Sequence, residues 1–360
     1  MRQSTDGGDM GPAFRIGARA IGPGHPTYIV AEVSGNHNQS FARAVEIVEA
    51  ACKAGVDAIK LQTYTPDTLT IDCDKKWFRV AGTNEAWRGQ TLYGLYRSAY
   101  TPWEWQPELK RAAERHGVQV FSTPFDATAV AFLRKMRVPA YKVASFELID
   151  DELLRAIAAT RKPVILSRGL ASLDEIRRAI GVLRRAGAAR VAVLHCVSSY
   201  PAKPEEMNLL TIPALRERLR CVVGLSDHTL GTEVAIAAVS LGASIVEKHV
   251  TLRRKDGGPD AAFSLEPAEL GELVRAIRSV DQAIGRPQYR AGRRESENLV
   301  FRRSLFVVED VRKGESFTRA SVRSIRPGYG LAPRFLARVL GKRAARDIER
   351  GTPLTWDVLA

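Results

Sequence analysis

The sequence predicts an α/β fold, a (β/α)8 TIM barrel followed by a small β-rich domain. Eight apolar strand patterns alternate with helical patterns between Tyr28 and His249, which is typical of parallel βα units, and eight strands close a barrel. Polar side chains also recur where these strands end, as expected at the mouth of a barrel. A doubly wound open sheet is the competing architecture, but no GxGxxG turn follows the first strand.

The predicted elements follow a regular order once a Gly-rich leader has passed. Ser40–Ala54 has the apolar spacing of a helix, and a long connection from Tyr64 to Pro102 contains a second helical pattern at Leu92–Ala99. The eight strands are predicted at Tyr28–Val33, Asp57–Gln62, Gln119–Thr123, Ala140–Ala144, Pro163–Ser167, Val191–Cys196, Val222–Ser226 and Ser244–His249.

The chain is expected to contain four segments. Residues 1–22 form a leader and residues 23–285 the barrel, while the polar, basic stretch at 286–300 is a plausible linker. Residues 301–360 carry short strand patterns separated by turn signals, which predicts a compact β-rich domain. A domain of about sixty residues is near the lower size limit for independent stability, so we expect it to dock on a partner surface.

Composition limits the function without identifying it. The 360 residues include four scattered cysteines without a CxxC pair, and the N-terminus lacks a signal-peptide core. No apolar run approaches the roughly 20 residues of a membrane span, so we predict a cytoplasmic protein with no membrane partner. The net charge of +14 is compatible with nucleic acid, an anionic small substrate or an Arg-rich proteome. Because no nucleic-acid motif accompanies it, we expect no nucleic-acid partner.

Two strand-end lysines suggest an anion site. Either lysine, Lys60 or Lys142, could be a solvated flank of its strand, but both lie inside apolar strands, which disfavours that alternative. Strand-end serines lie beside or opposite them. Such a set can hold a phosphate and a carboxylate through charge-assisted hydrogen bonds. These serines are Ser145, Ser167 and Ser226, and other strand ends carry the hydroxyls of Thr123 and Ser198.

Two histidines suggest a metal. His228 and His249 end the seventh and eighth predicted strands, so both imidazoles should lie at one end of the barrel. Two histidines fall short of a structural zinc set, and the open positions would be filled by water and substrate, as in catalytic sites. Asp260 or Asp227 could assist through a coordinated water.

Carboxylates suited to proton transfer are few near the predicted mouth. Glu32 and Glu147 are the candidates, because each directly follows or ends a strand and a general base must first be within reach.

These residues resemble the sialic acid synthase family, most closely its pseudaminic acid synthase branch, from about Arg15 to the C-terminus. RSIRPGYGL (Arg323–Leu331) is similar to that family's antifreeze-like SAF domain, which has a β-clip fold, and TPWEW with GNHNQ indicates the branch. The other matching segments are AEVSGNHNQ, KLQTYTPDT, LYRSAYTPWEW, FSTPFD, YKVASFE, HCVSSYP, GLSDHT, EKH and GGPDAAFSLEP.

The resemblance implies a condensation of phosphoenolpyruvate with an acetamido-sugar, dependent on Mn²⁺ or Mg²⁺, that gives a nonulosonic acid and phosphate. It implies that His228 and His249 hold the metal. It also implies that Arg326 reaches the partner subunit's site in a domain-swapped homodimer. The positions implied to contact phosphoenolpyruvate are Lys60, Thr123, Lys142, Ser145, Ser167 and Ser226, and those implied to face the sugar are Glu32, Ser198, Tyr200 and Asp260.

Within this chemistry the acceptor of the branch is 2,4-diacetamido-2,4,6-trideoxy-L-altrose, and the alternative is an N-acetylneuraminate or legionaminate synthase. A hypothesis from another functional class is that the C-terminal unit serves as a carbohydrate-binding or interaction module on a degenerate barrel. Two departures from the family pattern matter: Arg168 follows Ser167 where the family usually has Thr, and Arg253 stands where an acidic residue is common. Arg168 either adds a phosphate contact or turns outward.

Overall fold

The computed structural model describes residues 13–80 and 87–360. Within it the chain forms two compact units, Met1–Gly285 and Arg286–Ala360. Residues 1–12 of the predicted leader, and residues 81–86 of the predicted long connection, lie outside the described residues. None of the helices described is long and apolar enough to cross a membrane.

The first unit is a closed barrel of eight parallel strands, which confirms the predicted fold class and rules out the open sheet. A hairpin of β1 (Phe14–Ile16) and β2 (Arg19–Ile21) precedes it. The barrel strands are β3 (Tyr28–Glu32), β4 (Ala58–Thr63), β5 (Gln119–Pro124), β6 (Tyr141–Val143), β7 (Val164–Ser167), β8 (Val191–Cys196), β9 (Val222–Asp227) and β10 (Ile245–His249). The barrel closes where β10 pairs with β3, in a register that sets His249 beside Glu32.

Helices surround the barrel in the order that the sequence predicts. They are α1 (Phe41–Ala54), α2 (Pro66–Leu69), α3 (Leu92–Ala99), α4 (Gln106–Glu114), α5 (Ala127–Lys135), α6 (Asp151–Ala158), α7 (Leu173–Arg185), α8 (Thr211–Leu219), α9 (Glu233–Ser240) and α10 (Pro267–Ile284). In α1, Ser40 caps the first turn by accepting from the backbone N–H of Arg43, and Gly55 ends the helix at φ 90°. The residues between carry a buried apolar stripe that packs on the barrel.

The long connection between β4 and β5 is anchored to the loop after β3. The buried His37 ring contacts the Thr101 hydroxyl through Nε2 at 3.1 Å. The side-chain amide of Gln39 donates to the carbonyl oxygens of Ser98 at 3.1 Å and Tyr100 at 2.6 Å. The GNHNQ loop therefore fixes the end of α3 and the start of the TPWEW segment on the barrel.

The second unit has a small core of its own. β11 (Ser304–Val307) pairs antiparallel with β12 (Val322–Ile325), and the short helix α12 (Leu336–Val339) packs nearby. Leu305, Phe317 and Leu354 are fully buried in this core. Residues 286–300, the predicted linker, belong to this compact unit and contain the short helix α11 (Arg293–Ser296).

A buried ion pair ties β9 to β10 on the outside of the barrel. The Lys248 ammonium donates to the Asp227 carboxylate at 2.7 Å and to the Thr229 carbonyl oxygen, and neither side chain of the pair is exposed to solvent. Because side chains alternate along a strand, Lys248 faces the helices while its neighbour Glu247 faces the barrel interior. Asp227 is therefore committed to Lys248, and the possible metal-assisting role considered for it is not supported by its contacts.

We expect Lys248→Met to lower the free energy of unfolding by about 3–5 kcal/mol, because it leaves the Asp227 carboxylate buried without its partner. Urea unfolding followed by circular dichroism measures this. The control is Arg177→Met, which removes an exposed pair with Asp174 at 3.3 Å and should cost about 1 kcal/mol or less. A loss for Lys248→Met no larger than that of the control would contradict the structural role of the pair.

Candidate active site

A cavity of about 390 Å³ lies among the residues at the C-terminal ends of the barrel strands. Parallel strands present their C-terminal ends at one face of a barrel, where active sites of this fold are built. The cavity brings together most of the residues singled out from the sequence: Lys60, Lys142, Ser145, Glu147, Ser167, Tyr200, Ser226, His228, His249 and Asp260.

The floor of the cavity is organised by a residue that the sequence analysis missed, Glu247. Its carboxylate lies 2.8 Å from the Lys60 ammonium and 3.6 Å from the Lys142 ammonium, and it accepts a 3.0 Å hydrogen bond from Ser226. Lys142 also donates to the Ser167 hydroxyl at 2.7 Å. The signal available in the sequence was a carboxylate inside the apolar strand SIVEKH, where a buried charge requires a partner.

The charges on this floor favour an anionic ligand. Burial by itself would raise the pKa of Glu247, but the ammonium groups of Lys142 and Lys60 lower it to about 2. Burial opposes the charge on Lys60, yet the carboxylates of Glu247 and Glu32 outweigh it and raise the lysine pKa. Burial lowers the pKa of Lys142, which lacks an equally close carboxylate. An incoming anion would supply the countercharge that Lys142 lacks.

Three predicted residues do not line the cavity but lie close to residues of the site. Glu32 is buried beside Lys60 at 3.1 Å and accepts from the Gln62 amide at 2.9 Å. Burial raises the pKa of Glu32. Thr123 is buried and its hydroxyl has no hydrogen-bond partner, and Ser198 contacts the Ser145 hydroxyl at 3.1 Å. None of the three is among the residues lining the cavity, and Arg326 belongs to the second unit, after β12.

The two histidines form one edge of the cavity, with ring centroids 5.3 Å apart. His228 Nδ1 lies 2.9 Å from the Val197 carbonyl oxygen, which can only accept, so in the neutral imidazole the proton is on Nδ1 and Nε2 carries the lone pair. His249 Nδ1 is buried without a hydrogen-bond partner and lies 3.5 Å from an Asp260 oxygen. Burial lowers the pKa of His249, which favours the neutral imidazole that binds metals.

This edge offers an incomplete metal site. Over residues 13–80 and 87–360, no three His, Cys, Asp or Glu side chains are grouped to hold a metal ion. The orphaned nitrogen of His249 and the lone pair on His228 nonetheless fit a divalent cation whose other ligands come from water or substrate. Asp260 lies beside them and accepts from the Ser34 hydroxyl.

Glu147 occupies another part of the cavity wall, in the 3₁₀ turn Glu147–Ile149 after β6. Burial raises the pKa of its carboxyl to about 7, and Oε2 is buried without a hydrogen-bond partner. A carboxyl with that pKa can exchange a proton near neutral pH.

The two departures from the family pattern lie away from the cavity lining. The half-buried Arg168 guanidinium donates through Nε to His195 Nδ1 at 3.1 Å. It therefore binds a buried histidine instead of turning freely outward. Arg253 is exposed and pairs with Asp256 at 3.0 Å.

One side of the cavity is apolar and comes mostly from the long connection. We call it the apolar wall: Leu69, Val80, Trp87, Leu92, Leu95 and Tyr96. The sequence analysis did not assign these residues to the site, because a connection without regular periodicity gives no indication of which side chains it turns inward.

Comparison with known proteins identifies relatives over most of the chain. The sequence model of the NeuB family matches residues 47–289, and that of the SAF domain matches residues 302–360. The pseudaminic acid synthase of Campylobacter jejuni strain 81-176 is 40% identical over 91% of this chain and 95% of its own length. That of Helicobacter pylori is 40% identical over 92% of this chain and 97% of its own.

A solved structure agrees with the barrel described above. The N-acetylneuraminic acid synthetase of Leptospira borgpetersenii is 31% identical and superimposes with a TM-score of 0.71, covering 81% of this chain and 96% of its own. The resemblance inferred from the sequence motifs is confirmed by these comparisons.

Proposed function

The chain belongs to the NeuB family, and we propose that it is an enzyme that condenses phosphoenolpyruvate with 2,4-diacetamido-2,4,6-trideoxy-L-altrose to give pseudaminic acid and phosphate. The observation that carries this proposal is the cavity in which two buried lysines, a ring of hydroxyls and a histidine pair meet. The 40% identity to pseudaminic acid synthases over most of the chain supports the choice of acceptor.

We assign phosphoenolpyruvate to the lysine side of the cavity. Lys60 and Lys142 supply two ammonium groups for its phosphate and carboxylate, and Ser145, Ser167 and Ser226 supply hydroxyls. The hydrogen bond between Lys142 and Ser167 supports this assignment, because it holds a donor pair ready beside the ligand. Thr123, whose buried hydroxyl has no hydrogen-bond partner, is proposed to complete the set.

We assign the sugar to the opposite side. Tyr200 and Asp260 line it directly, while Ser198 and Glu32 contribute through their contacts with Ser145 and Lys60. His228 and His249 would hold the divalent cation, Mn²⁺ or Mg²⁺. When bound, that cation supplies Lewis-acid polarisation of the sugar aldehyde.

The bond changes follow from this arrangement. C3 of phosphoenolpyruvate attacks the aldehyde carbon, whose oxygen takes a proton and becomes a hydroxyl. A water adds to C2 and gives up a proton, and the C2–O bond to phosphate then breaks as the new C2 hydroxyl loses its proton and becomes the ketone. Glu147 is our choice for the base that takes the proton from that water, because its carboxyl titrates near neutral pH beside the lysine floor. Glu32 is the second choice, since it is buried and engaged by Lys60 and Gln62.

We further infer a cytoplasmic homodimer in which the SAF domains are swapped, so that Arg326 serves the partner subunit's cavity. The free state of all four cysteines supports the location.

The acceptor screen tests the reaction itself. We expect phosphate release from phosphoenolpyruvate with 2,4-diacetamido-2,4,6-trideoxy-L-altrose and much slower release with N-acetylmannosamine or the legionaminate precursor. Preference for either of those sugars would make the chain an N-acetylneuraminate or legionaminate synthase. Absence of phosphate release with every sugar would favour a binding module on a barrel without activity.

The pH dependence tests Glu147. Its pKa lies above the ordinary value, at about 7, so the base form is lost as pH falls through 7 and kcat/KM should decline there. Glu147→Gln should lower kcat by about 10²–10⁴-fold and abolish that acidic limb. Glu152→Gln, an exposed carboxyl on α6, is the control and should retain the wild-type profile. An unchanged acidic limb in Glu147→Gln would assign the base elsewhere.

Mixing two inactive variants tests the shared site. His249→Gln removes a proposed metal ligand, and Arg326→Ala removes the side chain that is proposed to enter the partner subunit's cavity. Each variant should fold but be inactive. Random pairing in an equal mixture makes half the dimers mixed, each with one intact site, so about a quarter of wild-type activity should return. Two affinity tags verify that mixed dimers have formed. If these dimers gain no activity, each site is built within one chain.

A further inference from the structure

The apolar wall presents hydrocarbon to the cavity without a charged group. Its members come from α2, α3 and the residues between them, and Tyr96 adds a ring. The lysines, serines and histidines of the cavity belong instead to the barrel strands and the residues that directly follow them. The cavity therefore has a polar floor and an apolar side, and the binding of phosphoenolpyruvate requires only the polar floor.

Contacts with neighbouring residues hold the rings of the apolar wall in place. The buried Tyr64 ring packs edge-on against Tyr96, with centroids 5.8 Å apart, and against Phe125 at 5.1 Å. The Trp87 indole N–H donates to the Pro259 carbonyl oxygen at 2.9 Å. A surface fixed by such contacts can select a ligand by shape and polarity, because little free energy is lost in ordering it when the ligand binds.

A row of rings joins the histidine edge to this wall. The Tyr200 ring lies 4.5 Å from the His228 ring on one side and 5.5 Å from the Trp87 ring on the other. If the reacting aldehyde of the acceptor lies by the histidines, its six-carbon chain runs along Tyr200. The carbons remote from the aldehyde then meet the apolar wall.

From this geometry we infer that the apolar wall selects acceptor sugars that lack a hydroxyl group at C6, and this inference rests on the proposed function. A C6 methyl group packs against the leucines and leaves no polar atom unsatisfied. A C6 hydroxyl at the same place loses its hydrogen bonds to water, and the leucine and valine side chains of the wall offer it no partner. The wall is thus a specificity determinant, distinct from the groups that carry out the condensation.

The test compares two acceptors that differ in one oxygen atom: 2,4-diacetamido-2,4,6-trideoxy-L-altrose and its 6-hydroxy analogue. The wild-type enzyme should turn over the 6-deoxy sugar with a kcat/KM at least about tenfold higher, the order expected of a hydrophobic pocket. Leu69→Ser and Leu92→Ser should each reduce that ratio several-fold toward one, with the KM for phosphoenolpyruvate unchanged.

Ile71→Ser is the matched control, because Ile71 lies in the same connection but is 60% exposed and is not among the cavity-lining residues. It should keep the wild-type ratio. Equal turnover of the two sugars by the wild-type enzyme overturns the inference and leaves the proposed reaction intact. A ratio in both leucine variants equal to that of Ile71→Ser also overturns it. No phosphate release with either sugar overturns the proposed reaction and the inference together.

Discussion

The site depends on one buried arrangement of charges: the Glu247 carboxylate between the ammonium groups of Lys60 and Lys142. Burying an unpaired lysine costs several kcal/mol, so neither ammonium could be held at the end of an apolar strand without a carboxylate nearby. The closed barrel satisfies this condition, because it fixes β4, β6 and β10 around a common interior. The carboxylates raise the pKa of Lys60, and Lys142, whose pKa burial lowers, is the lysine that gains most from a bound anion.

The other parts of the cavity are positioned relative to that floor. β10 contributes Glu247 and, two residues later, His249, so the same strand carries the charge network and one end of the histidine edge. Its intervening residue, Lys248, ties β10 to β9 from outside through Asp227. The inward face of this short strand thus carries site residues, and its outward face carries the ion pair that stabilises the barrel. The apolar wall, by contrast, belongs to a connection outside the barrel strands, and such connections commonly carry binding specificity.

The sequence predicts the fold and the polar end of the barrel well, because strand periodicity and strand ends are local signals. It identifies Lys60, Lys142 and both histidines for that reason. It misses Glu247 because adjacent charges at Glu247 and Lys248 give no indication of which side chain faces inward until both faces of the strand are known to be buried. Position at or near a strand end also does not specify side-chain direction, and Thr123 and Ser198 are not among the residues that line the cavity.

Lys142, which lacks an equally close carboxylate on the cavity floor, is the group expected to bind the anionic substrate. Titration calorimetry of phosphoenolpyruvate into the wild-type protein and into Lys142→Met tests this expectation most directly. Losing one charge-assisted contact should weaken binding by about tenfold or more, whereas Lys162→Met, which changes an exposed lysine, should bind as the wild type does. Equal affinity of Lys142→Met and the wild-type protein for phosphoenolpyruvate would contradict this account.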